Sequence, residues 1–333
     1  MPESPPNLDL PDPPALLRPD RPDPQSREEW ALLRRRMEDR DVRTRRRGPR
    51  SALYWWIIEA MAHLFLVLLT VTFQYRRGYR NALQVQIRQE DIELAHLPRA
   101  FDGYRILQLT DLHLDGMEEL VEVIRDRLEQ VGPVDLAVLT GDFRSAEHGD
   151  PAASMELLAQ VVPAIVSRRK PLAILGNHDS VDMLDELERM GLQVLINESI
   201  TIDRDGDRVR FVGTDDVHYY YTPAAMRALA DCRDCFSIAL VHSPELAPEA
   251  AEAGASLYLC GHTHGGQICL PAGRAVLTHL SRCRKLYRGR WQIGSMQGRT
   301  SVGLGTSSAA VRFNCPPELV VLTLRSGKQV QHT

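Results

Sequence analysis

The chain has 333 residues, 44% hydrophobic and 25% charged, which is enough apolar material for the packed core of one or two domains. Its formal net charge of −4 provides no overall basic field to draw it to nucleic acid, so no nucleic-acid partner is expected. Of the six cysteines, only Cys232 and Cys235 form a C-x-x-C pair, and no second pair follows; a four-cysteine zinc site is thereby excluded, leaving ordinary buried thiols or one disulfide.

Residues 1–50 read as a disordered tail. Proline recurs from Pro2 to Pro24 and removes the donors that helices and ladders need. Trp30, Leu32 and Leu33 offer little to bury, leaving room for a brief helix. Arginines follow at 34, 35, 36, 40, 43, 45, 46, 47 and 50. Residues 51–75 read as a membrane-associated helix. The run from Leu53 to Phe73 is nearly all apolar and long enough for a bilayer core, Tyr54, Trp55 and Trp56 stand at its start, and Arg76, Arg77 and Arg80 flank its end. Glu59 and His63, one helical turn apart, interrupt it and keep an interfacial or re-entrant placement open. Positive charge is denser before Leu53 than after Phe73. That favours a cytoplasmic N-terminus and would put the rest of the chain outside if the segment crossed fully.

Residues 76–94 read as a linker and first strand, and residues 95–333 as a single α/β domain. Strands are predicted at Ile106–Leu109, Leu136–Leu139, Leu172–Leu175, Val209–Val212, Ile238–Val241, Leu257–Cys260 and Leu319–Leu324, with helices over Met117–Gln130, Ala153–Ser167 and Met183–Met190. Five of these strands end in polar clusters: Asp111-Leu112-His113, Gly141-Asp142, Gly176-Asn177-His178-Asp179, His242, and Gly261-His262-Thr263-His264. Ligands collect beyond the carboxyl ends of strands in open α/β sheets, so these side chains are expected to meet. Histidine with aspartate suits first-row divalent metals. Asp-x-His and His-x-His can each present both members to one side if the backbone stays extended, and the glycines beside Asp142, Asn177 and His262 permit tight turns.

In that order and spacing, the five clusters resemble the signature blocks of the calcineurin-like metallophosphoesterases, over roughly residues 95–325. The segments His264-Gly265-Gly266-Gln267-Ile268, Gly303-Leu304-Gly305 and Pro316-Pro317-Glu318 resemble a membrane-associated bacterial subgroup of that family. The resemblance implies a four-layer αββα sandwich of two mixed sheets, following the N-terminal membrane helix. It implies a pair of divalent ions (Mn, Fe or Zn), with Asp111, His113 and His264 on one, Asn177, His242 and His262 on the other, and Asp142 shared between them. His178 would be the catalytic residue, and Asp179 would orient it or a ligand. The implied reaction is hydrolysis of a phosphodiester or pyrophosphate bond by a metal-bridging hydroxide, without a phosphoenzyme. A lipid-linked substrate is implied, such as UDP-2,3-diacylglucosamine of lipid A biosynthesis, at the bacterial inner membrane. Two alternatives stay open: a metal-dependent phosphomonoesterase or nucleotidase, and a catalytically silent membrane scaffold.

Other polar residues read more plainly. Arg144 is either a phosphate contact or a solvated side chain. Arg282, Arg284, Lys285 and Arg288 form a solvated face or hold an acidic headgroup. Asp215-Asp216 reads as a turn. His63, His96, His148, His218, His279 and His332 lack the strand-end context and read as structural or solvated.

Overall fold

Four-residue apolar runs such as Leu136–Leu139 are buried at every position, and strands buried on both faces require cover on both faces. The structure, a computed structural model, describes residues 22–45, 64 and 66–327. The expected proline-rich tail up to residue 21 and most of the expected 51–75 segment lie outside the described residues.

The strands are β1 (Gln86–Leu94), β2 (Arg105–Leu109), β3 (Leu136–Leu139), β4 (Leu172–Ala173), β5 (Gln193–Val194), β6 (Glu198–Arg204), β7 (Asp207–Gly213), β8 (Ser237–Leu240), β9 (Leu257–Cys260), β10 (Gly289–Ile293), β11 (Met296–Thr300) and β12 (Glu318–Ser326). They form two six-stranded sheets, ordered β1-β12-β2-β3-β4-β5 and β10-β11-β9-β8-β7-β6. Both sheets are mixed. β2 through β5 run parallel, with β12 antiparallel to β2; β7, β8, β9 and β11 run parallel, with antiparallel β6 and β10 at the edges.

The period-two alternation of each strand sorts its side chains into layers. Ile106, Val138, Leu172 and Ile174 face Phe211, Ile238, Leu240, Leu257 and Leu259 between the sheets. Leu107, Leu109, Ala137 and Leu139 point the other way, beneath Ile124 and Leu128 of helix Leu120–Val131 and Leu158 of helix Ala152–Val161. On the second sheet, Val212, Ala239, Val241 and Tyr258 are covered by Ala225 and Leu229 of helix Pro223–Ala230 and Ala250 of helix Ala247–Glu252. The hairpin β6–β7 closes through Asp205-Gly206, both left-handed, the geometry that two-residue hairpins favour. All six cysteines are free, so Cys232 and Cys235 form no disulfide.

The N-terminal region departs from expectation. Where residues 1–50 were expected to be disordered, helix α1 runs from Arg27 to Arg45. Its sequence has no proline or glycine, and Ser26 caps it, accepting the Glu29 amide at 3.2 Å while Glu29 returns to the Gln25 amide. Trp30, Arg34 and Glu38, four residues apart, form the stripe facing the domain, where Trp30 and Arg34 are buried. In place of a linker, residues 74–82 form a second docked helix whose Gly78 lies so close to Val311 and Phe313 that a side chain has no room. β1 then pairs in parallel with β12 along all of its residues. Among the described residues, no helix is long and apolar enough to cross a membrane.

Candidate metal centre

The parallel strands β2, β3 and β4 of one sheet and β8 and β9 of the other end at the same edge of the sandwich. Gln108 ties the two sheets there, its side-chain amide donating to the Cys260 carbonyl at 3.0 Å. Beyond this edge, three groups of potential ligand atoms each lie within 4.8 Å of one another: Asp111–His113–His264, His113–Asp142–His178 and Asp142–His242–His262. Asn177 joins through its side-chain oxygen, 2.8 Å from His262 Nδ1. All eight expected site residues therefore come together, and Asp142 stands between the outer groups, 3.5 Å from His113 Nε2 and 3.2 Å from His242 Nε2.

The donor set fits divalent cations on a test internal to the structure. Both ring nitrogens of His113, and Nε2 of His262, are buried with no hydrogen-bond partner. Each unpartnered polar atom of this kind costs about 1–3 kcal/mol unless something fills its lone pair. Protonation states agree. In the metal-free chain, burial and then His178 push His113 down to about 3, and burial, reinforced by neighbouring histidines, also lowers His262 and His264. Burial alone would push Asp142 up, but His242 and His178 outweigh it and hold the carboxyl well below its usual range. Burial pushes Asp111 up to about 6. Burial would depress His242, but the facing Asp142 carboxylate outweighs it and pushes the ring up to about 10.

The backbone reaches this arrangement by a route the sequence did not suggest. The Asp-x-His and His-x-His pairs are not extended. Asp111, His113, Asp142, His262 and His264 are all left-handed, with φ of 50°, 42°, 58°, 72° and 50°. Such conformations cost of order 1–3 kcal/mol each in a non-glycine residue and concentrate at functional sites. Gly141 is left-handed as expected, at φ 89°, whereas Gly176 is not. It is required for close approach, because a Cβ there would overlap the Asp142 carboxylate. Gly176→Ala is expected to lower the stability of the metal-free protein by about 1–3 kcal/mol through overpacking, measured by urea unfolding.

Asp179 organises the loop through backbone contacts, without touching the His178 ring. Its carboxylate accepts the amides of Asp142, Phe143 and Gly176, each at 2.8 Å, while Asp142 accepts the His178 amide at 2.9 Å. His178 is held by Nδ1, 2.7 Å from the Ser145 carbonyl, and its ring meets that of His113 edge-on. Arg144 is not solvated. It is buried and donates to the carbonyls of His178, Glu147 and Gly149.

Sequence reasoning missed several neighbours. His218 lies 4.4 Å from the His262 ring, centre to centre, with Nδ1 2.7 Å from Glu245. Buried Arg312 donates to the carbonyls of Val302 and Gly305 and approaches His264 Nδ1 at 3.4 Å. Asp216 makes the expected turn, accepting the amides of His218 and Tyr219, but Asp215 is a buried anchor for α1. Arg282 is likewise paired internally, with Glu249 at 2.5 Å.

Residues 104–266 match the calcineurin-like phosphoesterase family. The chain is 31% identical to the metallophosphoesterase YkuE of Bacillus subtilis (strain 168) over 266 residues, covering 75% of this chain and 90% of the relative. With the fold and the ligand cluster, this places the chain in the calcineurin-like phosphoesterase family, as a metal-dependent phosphoric ester hydrolase. It is also 26% identical over 231 residues to phosphodiesterase YaeI of Escherichia coli (strain K12), covering 66% of this chain and 82% of the relative. A further relative, the transmembrane protein with metallophosphoesterase domain of Danio rerio, is 27% identical over 226 residues, covering 62% of this chain and 50% of that protein.

Proposed function

We propose that the chain is a membrane-associated phosphodiesterase acting on a lipid-linked phosphoester, of which UDP-2,3-diacylglucosamine is one example. The observation that carries the hydrolytic site is the position of Asp142, which groups with His113 and His178 on one side and with His242 and His262 on the other. Asp111, His113 and His264 would hold one divalent ion and Asn177, His242 and His262 the other, with Asp142 serving both. When bound, such a pair neutralises the phosphoryl charge and makes water a nucleophile near neutral pH. The protein's own contribution is placement. His178 Nδ1 donates to the Ser145 carbonyl, which leaves Nε2 to give a proton to the departing oxygen when the ring is in its imidazolium form. Diester preference draws support from the phosphodiesterase relative.

Membrane association draws on the apolar side chains leading into residues 74–82. Leu64, Val67, Leu68, Val71 and Phe73 are all more than half exposed, and Arg76, Arg77 and Arg80 follow. A lipid tail has a second place to rest, at exposed Leu270, Val276 and Leu277, on the segment leading to His279, which lies within electrostatic reach of His178. The functional unit on this reading begins at α1 and continues through the domain that was expected from residue 95.

The test is turnover of bis(4-nitrophenyl) phosphate against 4-nitrophenyl phosphate by the full chain with Mn²⁺. Diester hydrolysis well above monoester hydrolysis is expected, and the reverse order would replace the reading with a phosphomonoesterase. Loading should also depend on pH with a fixed sign. His242 is protonated in the metal-free chain until pH approaches about 10, and the ligand form is neutral, so binding expels a proton. Mn²⁺ affinity is expected to rise between about pH 6 and about pH 8, with proton release seen in weakly buffered solution. A flat profile would remove His242 from the ligand set.

A further inference from the structure

α1 lies outside the segment that matches the family, yet it reaches the loop carrying Asn177 and His178. Arg34 is fully buried, and every arm of its guanidinium has a partner. Nε meets Glu38 at 3.0 Å and NH1 meets Asp215 at 2.5 Å, while NH2 donates to the carbonyls of Gly176 at 3.1 Å and Asp179 at 2.8 Å. Its carbon stands 3.5 Å over the Tyr220 ring. Trp30 donates to the other oxygen of Asp215 at 2.7 Å, and Glu38 also accepts the Val181 amide at 3.2 Å. The two carbonyls held by Arg34 bracket Asn177 and His178 in sequence. From the opposite side, Asp179 holds the Gly176 amide.

From this geometry we infer that Arg34 is a positioning residue, whose guanidinium, carried on the N-terminal helix, fixes the Gly176–Asp179 loop so that Asn177 and His178 keep their place at the metal centre. The inference rests on the assignment of those two residues above. A buried cation beside a single carboxylate could serve to dock a helix only. The second anchor does more, because both of its carbonyl acceptors belong to the active loop. Arginine suits this task and lysine does not, since one ammonium cannot reach Asp215, Glu38 and two carbonyls in the fixed geometry of the guanidinium fork.

The test uses the full chain, as wild type, Arg34→Ala and Arg34→Lys, with amide hydrogen exchange over residues 175–181 read beside Mn²⁺-dependent diester kinetics. Arg34→Ala is expected to raise exchange over that loop while β8 and β9 stay protected, and to lower kcat by about 10–100-fold with KM changed less than about twofold. Added methylguanidinium should restore part of the lost kcat, and Arg34→Lys should resemble the alanine variant. Unchanged exchange at 175–181 in a folded variant would overturn the inference. So would a loss of kcat accompanied by exchange rising equally in β8 and β9 and insensitive to methylguanidinium, since that pattern marks a purely structural role. If Arg34→Ala does not fold, Arg34→Lys is decided by the same exchange pattern. If the wild type turns over no diester, the exchange result still decides the role of Arg34, and the diesterase reading alone fails.

Discussion

His178→Ala should lower kcat on a phosphodiester by roughly 10²–10⁴-fold while the protein keeps its metal content. The two halves of this expectation come from different contacts. His178 holds its ring through Nδ1 to the Ser145 carbonyl, and the loop backbone is fixed independently, by its own amide to Asp142 and by Arg144 on its carbonyl. Removing the imidazole leaves both backbone bonds intact. The other ligand atoms should therefore stay put, and metal analysis should match the wild type. The loss should be smaller for a diester with a nitrophenolate leaving group, which needs little protonation, than for an alkyl ester. Equal losses on the two substrates would argue against a proton-donating role and leave His178 as a group that binds the phosphoryl oxygens. Loss of metal along with activity would make His178 a ligand instead.

The second large effect is expected from Asp142→Asn. The substitution preserves shape but removes the carboxylate that faces His113 on one side and His242 on the other. In the metal-free chain that charge offsets protonated His242, and taking away one partner of a buried pair typically costs 3–5 kcal/mol. His242 can shed its proton once the carboxylate is gone, so the measured loss should fall below that range. Function should suffer more than folding. Neither ion retains the ligand they share, so metal analysis should show both sites depleted together, with diester turnover at background. Retention of one full equivalent of metal would show that the groups load independently, and would break the shared-ligand arrangement.

How much of this was legible in the sequence depends on how far apart the partners lie along it. The strands supplying the site announce themselves as apolar runs, and each ends in its ligand. Asp111, Asp142, Asn177, His242, His262 and His264 could therefore be gathered from local pattern and family likeness. Strands β1, β6 and β10 carry half-exposed, polar-rich sequences such as Gln86–Leu94, β11 is polar though mostly buried, and none of them gave such a run. α1 was hidden for a different reason. The buried contacts of α1 centre on Trp30, Arg34 and Glu38 along one edge, and an arginine among arginines looks solvated until its partner is found at Asp215. Asp215 was itself read as a turn, because the eight assigned positions already filled the centre. Arg312 carried no motif at all. The left-handed backbone at these residues is invisible to pattern reading, since even aspartate and histidine, which tolerate it better than most, adopt it at few positions, and the surrounding contacts decide where.

The two docked helices at the N-terminal side also act as bookends. α1 buries Trp30 and Arg34 in the catalytic body, and the helix beginning at Gln74 sets Gly78 against Val311 and Phe313 of the same body. The chain therefore leaves that body after α1 and comes back to it at Gln74, so whatever the intervening residues bind is held close to the catalytic domain.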